Sequence, residues 1–196
     1  MSAFEKRDNY QITLVRTREL FLKYDQQAII DRFSLNADER YLYLTFAARP
    51  YRIERATGAM EFLKDRWLPA GHSDGMTIYD ILCDSKPDAR VSGRFQNAWN
   101  QRNVSSAPNG SLFQSSADFF SGKCALLSAA CERLGGERVS TGDVGFDIPV
   151  FNEIKMRMLF WDADDEFPAS MNLQWDEHIL DFMRYETTFY AAGFIL

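Results

Sequence analysis

Residues 41–62 read YLYLTFAARPYRIERATGAMEF, and within them the hydrophobic period of the chain changes. Tyr41 to Phe46 is rich in β formers and apolar on both faces, while Tyr51, Ile53 and Arg55 alternate with Arg52 and Glu54. Both read as strands. Thr57-Gly58 supplies a residue tolerant of positive φ in a tight turn, and Met60 to Phe62 resumes as a third strand. Together they predict an antiparallel meander.

Upstream of this meander the spacing is helical. Leu14, Val15, Phe21, Leu22, Ala28, Ile29 and Phe33 recur at helical intervals between Asn9 and Phe33, as two helices with Asp25 capping the second. Downstream, Asp74 reads as the cap of a helix through Met76, Ile78, Tyr79, Leu82 and Cys83 that must stop before Pro87. Asp88 to Gln114 is mostly polar and rich in Ser, Asn and Gly, with Phe95 and Trp99 among its few apolar residues, and reads as a long irregular connection with at most one short helix. One helix is then expected from Ser116 to Leu134, with Phe120, Cys124, Leu127, Cys131 and Leu134 on one stripe and Gly135-Gly136 ending it. Cys124 and Cys131 should therefore both be buried. Strands return at Val144 to Phe151, Glu153 to Trp161 and Met171 to Trp175, and a last helix is expected near Asp176. No linker or repeat divides residues 1–196, so the expectation is one α+β domain, a mostly antiparallel sheet with helices on one face.

Composition limits the function classes. Aromatics make up 14% of the 196 residues, enough either to specify a core or to line a pocket. The opening MSAFEKRDNY is charged where a signal peptide needs apolar residues, and no apolar run is long enough to span a membrane. Three cysteines do not make a disulfide scaffold and fit a reducing compartment, so a cytoplasmic location is expected. The triplets at Asn103 and Asn109 then read simply as loop. Residues 141–196 carry 11 Asp or Glu against Lys155, Arg157 and Arg184, so the net charge of -6 is concentrated there. Such a surface repels phosphate backbones and no basic stripe offsets it; nucleic acid is not an expected partner, whereas a small molecule or a protein is.

The most distinctive stretch is Trp161-Asp162-Ala163-Asp164-Asp165-Glu166-Phe167-Pro168, followed by Trp175-Asp176-Glu177. With Ile148-Pro149-Val150 and Gly75-Met76-Thr77-Ile78-Tyr79-Asp80-Ile81-Leu82, these motifs resemble the uncharacterised bacterial and archaeal family catalogued as domain of unknown function 3786, over most of the chain. The resemblance implies no reaction or cofactor. Some proteins of that family join the domain to a cysteine-rich iron-sulfur segment and are linked to corrinoid or one-carbon metabolism; no such segment lies in these 196 residues.

Chemically, Asp162, Asp164, Asp165 and Glu166, with Asp176 from the next strand, offer oxygens to a hard cation such as Ca²⁺ or Mg²⁺, though not at EF-hand spacing. The alternative reading is a solvated turn closed by Pro168. Helical spacing from Ile179, Phe182 and Met183 puts Glu186 among apolar neighbours, either as a general acid or base, with His72 as its companion, or as a buried partner of Arg52 or Arg94. Two histidines, His72 and His178, exclude a zinc site of several imidazoles. The motifs GxGxxG, GxxxxGK[ST] and CxxC are absent. Trp161, Trp175, Tyr79 and Arg94 are the candidate ligand-binding residues. The leading expectation is a non-catalytic module that takes a ligand in a pocket between sheet and helices, and the alternative is a small enzyme using Glu186 or the acidic turn.

Overall fold

The meander forms as expected and gains one strand at each end. The computed structural model describes residues 3–97 and 113–196, with side chains from residue 12 onward. The connection expected from Asp88 to Gln114 therefore lies partly outside the described residues, and Trp99 and both Asn triplets lie wholly outside them. By compactness the chain divides into Met1–Ala89 with Asp181–Ile195, and Arg90–Leu180 with Leu196.

In the first unit, β1 (Asn36–Ala37), β2 (Tyr41–Phe46), β3 (Arg49–Glu54), β4 (Met60–Leu63) and β5 (Trp67–Pro69) form a five-stranded antiparallel sheet in sequence order. Its inner face buries Leu42, Leu44, Phe46, Tyr51, Ile53 and Met60. On its outer face Arg52 pairs with Glu61 at 2.7 Å and lies over the rings of Tyr41 and Trp67 at 4.2 and 4.4 Å. Four helices belong to the same unit: α1 (Ala3–Phe21), α2 (Gln26–Phe33), α3 (His72–Asp84) and α6 (Tyr185–Ile195). Asp25 caps α2 as its position predicts, accepting from the amides of Gln27 and Ala28. The central helix is α3, flanked by α1, α2 and α6 and buried almost continuously from Asp74 to Leu82.

Two glycines set how closely these elements approach. At Gly58, φ is +67°, and a side chain there would meet the Arg18 carbonyl of α1 at 3.1 Å. At Gly75, an added Cβ would stand 3.1 Å from the Leu14 side chain. Both positions therefore let α1 settle against its neighbours.

In the second unit, β6 (Phe95–Asn97), β7 (Glu137–Arg138), β8 (Val144–Phe151), β9 (Ile154–Trp161) and β10 (Ser170–Asp176) form another five-stranded antiparallel sheet, in the order β6-β10-β9-β8-β7. β9 alternates from Ile154 to Met158, after which Leu159 and Phe160 are both buried. Ile154, Met156, Met158 and Phe160 are buried, while Lys155 and Arg157 pair on the other face with Glu137 and Asp147. The helices α4 (Gln114–Phe120) and α5 (Cys124–Arg133) pack against β10 and β8.

The class is α+β with antiparallel pairing throughout, although the strands are shared between two sheets where one was expected. Three local expectations are corrected. The single helix over Ser116–Leu134 breaks at Ser121-Gly122-Lys123, because Gly122 adopts φ +70° and its amide, with the Ser121 hydroxyl, donates to the Asp162 carboxylate. Asp74 does not cap α3, which starts two residues earlier behind Gly71; its carboxylate is turned inward. The last helix starts at Tyr185 rather than near Asp176, which is consumed as the end of β10. Among the described residues no helix is long and apolar enough to cross a membrane.

The β2–β3 connection is a two-residue hairpin turn in which Ala47 and Ala48 both have positive φ, +46° and +60°. This is the backbone that Asn-Gly normally supplies, and alanine is strained in it. Ala48 is exposed. Replacing it by glycine is expected to stabilise the protein by about 0.5 to 1 kcal/mol, as relief of the left-handed strain exceeds glycine's entropic cost. Urea unfolding should show a higher midpoint at unchanged slope.

Candidate functional site

The buried run of α3 carries two carboxylates, Asp74 and Asp80, at 3% and 5% exposure. A buried acid must be neutralised or bonded. The Tyr51 hydroxyl donates to Asp74 Oδ2 at 2.8 Å, tying β3 to the start of α3, and burial beside that carboxylate pushes the Tyr51 pKa strongly upward. Asp80 accepts from the Arg184 amide at 2.7 Å and faces Arg184 Nε at 3.3 Å. It thus caps α6 from a different helix. Burial raises the Asp80 pKa, opposed by the Thr187 hydroxyl and by Arg184. Arg184 also pairs with Asp84, whose other oxygen accepts from the Tyr24 hydroxyl at 3.0 Å. Every one of these groups is engaged in holding helices together.

A different kind of place lies between α1, α3 and the β4–β5 hairpin. A cleft of about 150 Å³ is lined there by Leu14, Arg18, Met60, Pro69, Ala70 and Tyr79. Tyr79 is buried on α3, and its hydroxyl donates to the Gly58 carbonyl. Burial raises its pKa, while the neighbouring Arg18 side chain works against the rise. So the tyrosine stays a neutral phenol. Four walls are apolar and one is cationic.

The residues singled out from the sequence are spread over both units. Of the four ligand-binding candidates only Tyr79 lines this cleft. Trp161 is exposed at one end of β9, whereas Trp175 is fully buried near the far end of β10, its indole nitrogen without an acceptor among the described residues. Arg94 is an exposed partner of Glu177. Glu186 is exposed, not buried, because the chain breaks into a 3-10 turn at Ile179–Asp181 and the helical phase restarts at Tyr185. Of the partners expected for it, Arg52 holds Glu61 and Arg94 holds Glu177. His72, half-buried at the start of α3, packs edge-on against Tyr190 with ring centroids 5.2 Å apart, and burial lowers its pKa.

The acidic turn is similarly committed. Asp162 accepts from the amides of Gly122 and Ala163, and Asp164 from those of Glu166 and Phe167, which lowers the pKa of each. Asp165 and Glu166 are exposed, and Asp176 is buried, accepting from Ser92, Gly93 and His178 amides. Among the described residues no three His, Cys, Asp or Glu side chains gather as metal ligands. Cys131 is buried as expected, its thiol pushed up to about 11 by burial, and Cys83 rises to about 12 for the same reason. Cys124 is only half-buried, with its Sγ 3.4 Å from Asp162.

No binding role is expected from the sequence for Arg18, Leu14, Met60, Pro69 or Ala70, although Leu14 and Met60 fall on predicted elements. The Leu14–Arg18 spacing of one helical turn was the cleft's only trace. Asp80 left a clearer one, a lone carboxylate inside Ile78-Tyr79-Asp80-Ile81-Leu82.

The sequence model of the family described as domain of unknown function 3786 matches residues 25–196, and the chain belongs to that family. No curated protein and no solved structure matches the chain.

The Asp162 contacts generate a measurable pair of effects. Its folded-state pKa lies below the ordinary value, so its stabilising contribution is complete above about pH 4 and disappears as pH falls through the lowered value. Asp162→Asn should therefore be less stable than the native protein at pH 7, with the gap closing in acid. The same substitution should speed thiol labelling of Cys124, whose pKa is raised by burial and then by Asp162, while Cys131 stays slow. An unchanged Cys124 rate would contradict this.

Proposed function

We propose that the protein is a cytoplasmic, non-catalytic binding module that takes a small organic ligand in the cleft between α1, α3 and the β4–β5 hairpin. The observation that carries this reading is the cleft itself: about 150 Å³, with Leu14, Met60, Pro69 and Ala70 as apolar walls and Tyr79 and Arg18 as its polar points. A cation and a phenol set among apolar side chains in one concavity is a make-up that suits a ligand site. A volume near 150 Å³ accommodates a molecule of benzene size and is well below what a drug-sized ligand needs. The link to corrinoid and one-carbon metabolism rests on the family resemblance; a cleft of this size suits a substrate-sized molecule and not the corrinoid macrocycle.

Catalysis is the weaker reading. The buried acids of α3 are held by Tyr51 and Arg184, and the cysteine thiols at Cys83 and Cys131 are raised far above neutral pH.

A thermal-shift screen of small organic molecules tests the proposal. A ligand present at a hundred times its Kd adds about 2.7 kcal/mol, several degrees in Tm for a chain of this size. Ala70→Phe places a ring in the cleft and keeps the backbone bond from Ala70 N to the Met60 carbonyl. Ligands that raise the Tm of the native protein are expected to leave that of Ala70→Phe unmoved. Equal shifts in both proteins, or none in either, would count against the cleft.

A further inference from the structure

Resting on that reading, we infer that the ligand is a small carboxylate, with its anionic end on Arg18 and a short apolar body against Leu14, Met60, Pro69 and Ala70. Arg18 lines the cleft and is half-buried, and among the described residues no carboxylate forms an ion pair with it. Three other arginines of the same unit pair with acids, Arg40 with Glu54, Arg52 with Glu61 and Arg184 with Asp80 and Asp84, while Arg55 is held by Gln26 and the Asp38 carbonyl and Arg49 lies over two phenylalanine rings. A guanidinium carries five N–H donors in a planar fork, so one that lines a cleft without a carboxylate partner offers an incoming anion a bidentate contact.

The surroundings restrict which anion. Tyr79 spends its hydroxyl proton on the Gly58 carbonyl and so offers the cleft only acceptor lone pairs. That oxygen is suited to steady the guanidinium and unsuited to bind an anion directly, which makes Tyr79 a positioning residue. The backbone of Arg18 is held within α1, its carbonyl accepting from the Leu22 amide at 3.2 Å. One fork of donors matches the two oxygens of a carboxylate. Inorganic phosphate, with more oxygens to satisfy, would leave several against the apolar walls. The volume sets the body at about four to six carbons.

The test compares matched probes by NMR titration of the full chain: carboxylates of four to six carbons such as 3-methylbutanoate, the corresponding neutral amides, the amines, and inorganic phosphate. The expected result is that at least one carboxylate perturbs the amides of Ala70 and Tyr79 and binds roughly tenfold tighter than its amide, the size of one charge-assisted contact. Arg18→Met should abolish that preference while leaving weak amide binding, Arg18→Lys should retain part of it, and Tyr79→Phe should reduce it. Equal binding of acid and amide would overturn the carboxylate inference and leave the binding module standing. Tighter binding of phosphate or of the amines would likewise overturn it. Failure of every organic probe to bind, with Arg18→Met folded like the native protein, would bring down both.

Discussion

A helix buried on nearly all sides can carry a carboxylate only if another element comes to meet it, and α3 carries two. Asp74 is met by the Tyr51 hydroxyl from β3, and Asp80 by the backbone and side chain of Arg184 at the entrance to α6. An unmet acid in either place would cost several kcal/mol, comparable with the stability margin of a whole domain. The register of β3 and the starting residue of α6 follow from that demand. Thr187 adds its hydroxyl to Asp80, and Ser85 donates to the Phe182 carbonyl at 3.1 Å, so α3 and α6 are fastened along their common length.

Arg18 is the contrast that singles out the cleft. The buried charges of α3 are answered within the fold, whereas Arg18 lines a concavity in which one neutral phenol and four apolar side chains surround it. Arg52 shows how the protein treats a cation that serves structure alone: a carboxylate at 2.7 Å and two aromatic rings stacked on it. Among the described residues Arg18 has no such carboxylate partner, and the Tyr79 phenol is its polar neighbour.

The acidic turn after β9 illustrates how one composition supports two readings. A run of four acids in five residues is equally suited to a cation and to backbone amides. Here the amides win for Asp162 and Asp164, because Gly122 at φ +70° and the tight turn to Phe167 bring unpaired N–H groups within 2.7 to 2.8 Å. Asp162 in doing so splits the expected long helix into α4 and α5. Cys124 then stands at the head of α5 rather than in the middle of a buried stripe, which is why it is half-exposed.

Periodicity alone determined the elements: the meander from Tyr41 to Leu63, the Asp25-capped α2, the β8–β9 hairpin and the glycine end of α5 all follow from local side-chain pattern. These are short-range effects, decided within a few residues of the chain. Family membership was legible for the same reason, since motifs are local. Only tertiary structure decided that the strands divide into two sheets, that Glu186 faces solvent, and that Arg18, Tyr79 and Ala70 line one cleft. Glu186 failed because helical phase is lost wherever the chain leaves the helix, and a 3-10 turn at Ile179–Asp181 is enough to lose it. The cleft was hidden because its walls come from positions as far apart as Leu14 and Tyr79, brought together by the space left open at Gly58 and Gly75 and by acids whose partners lie on other elements.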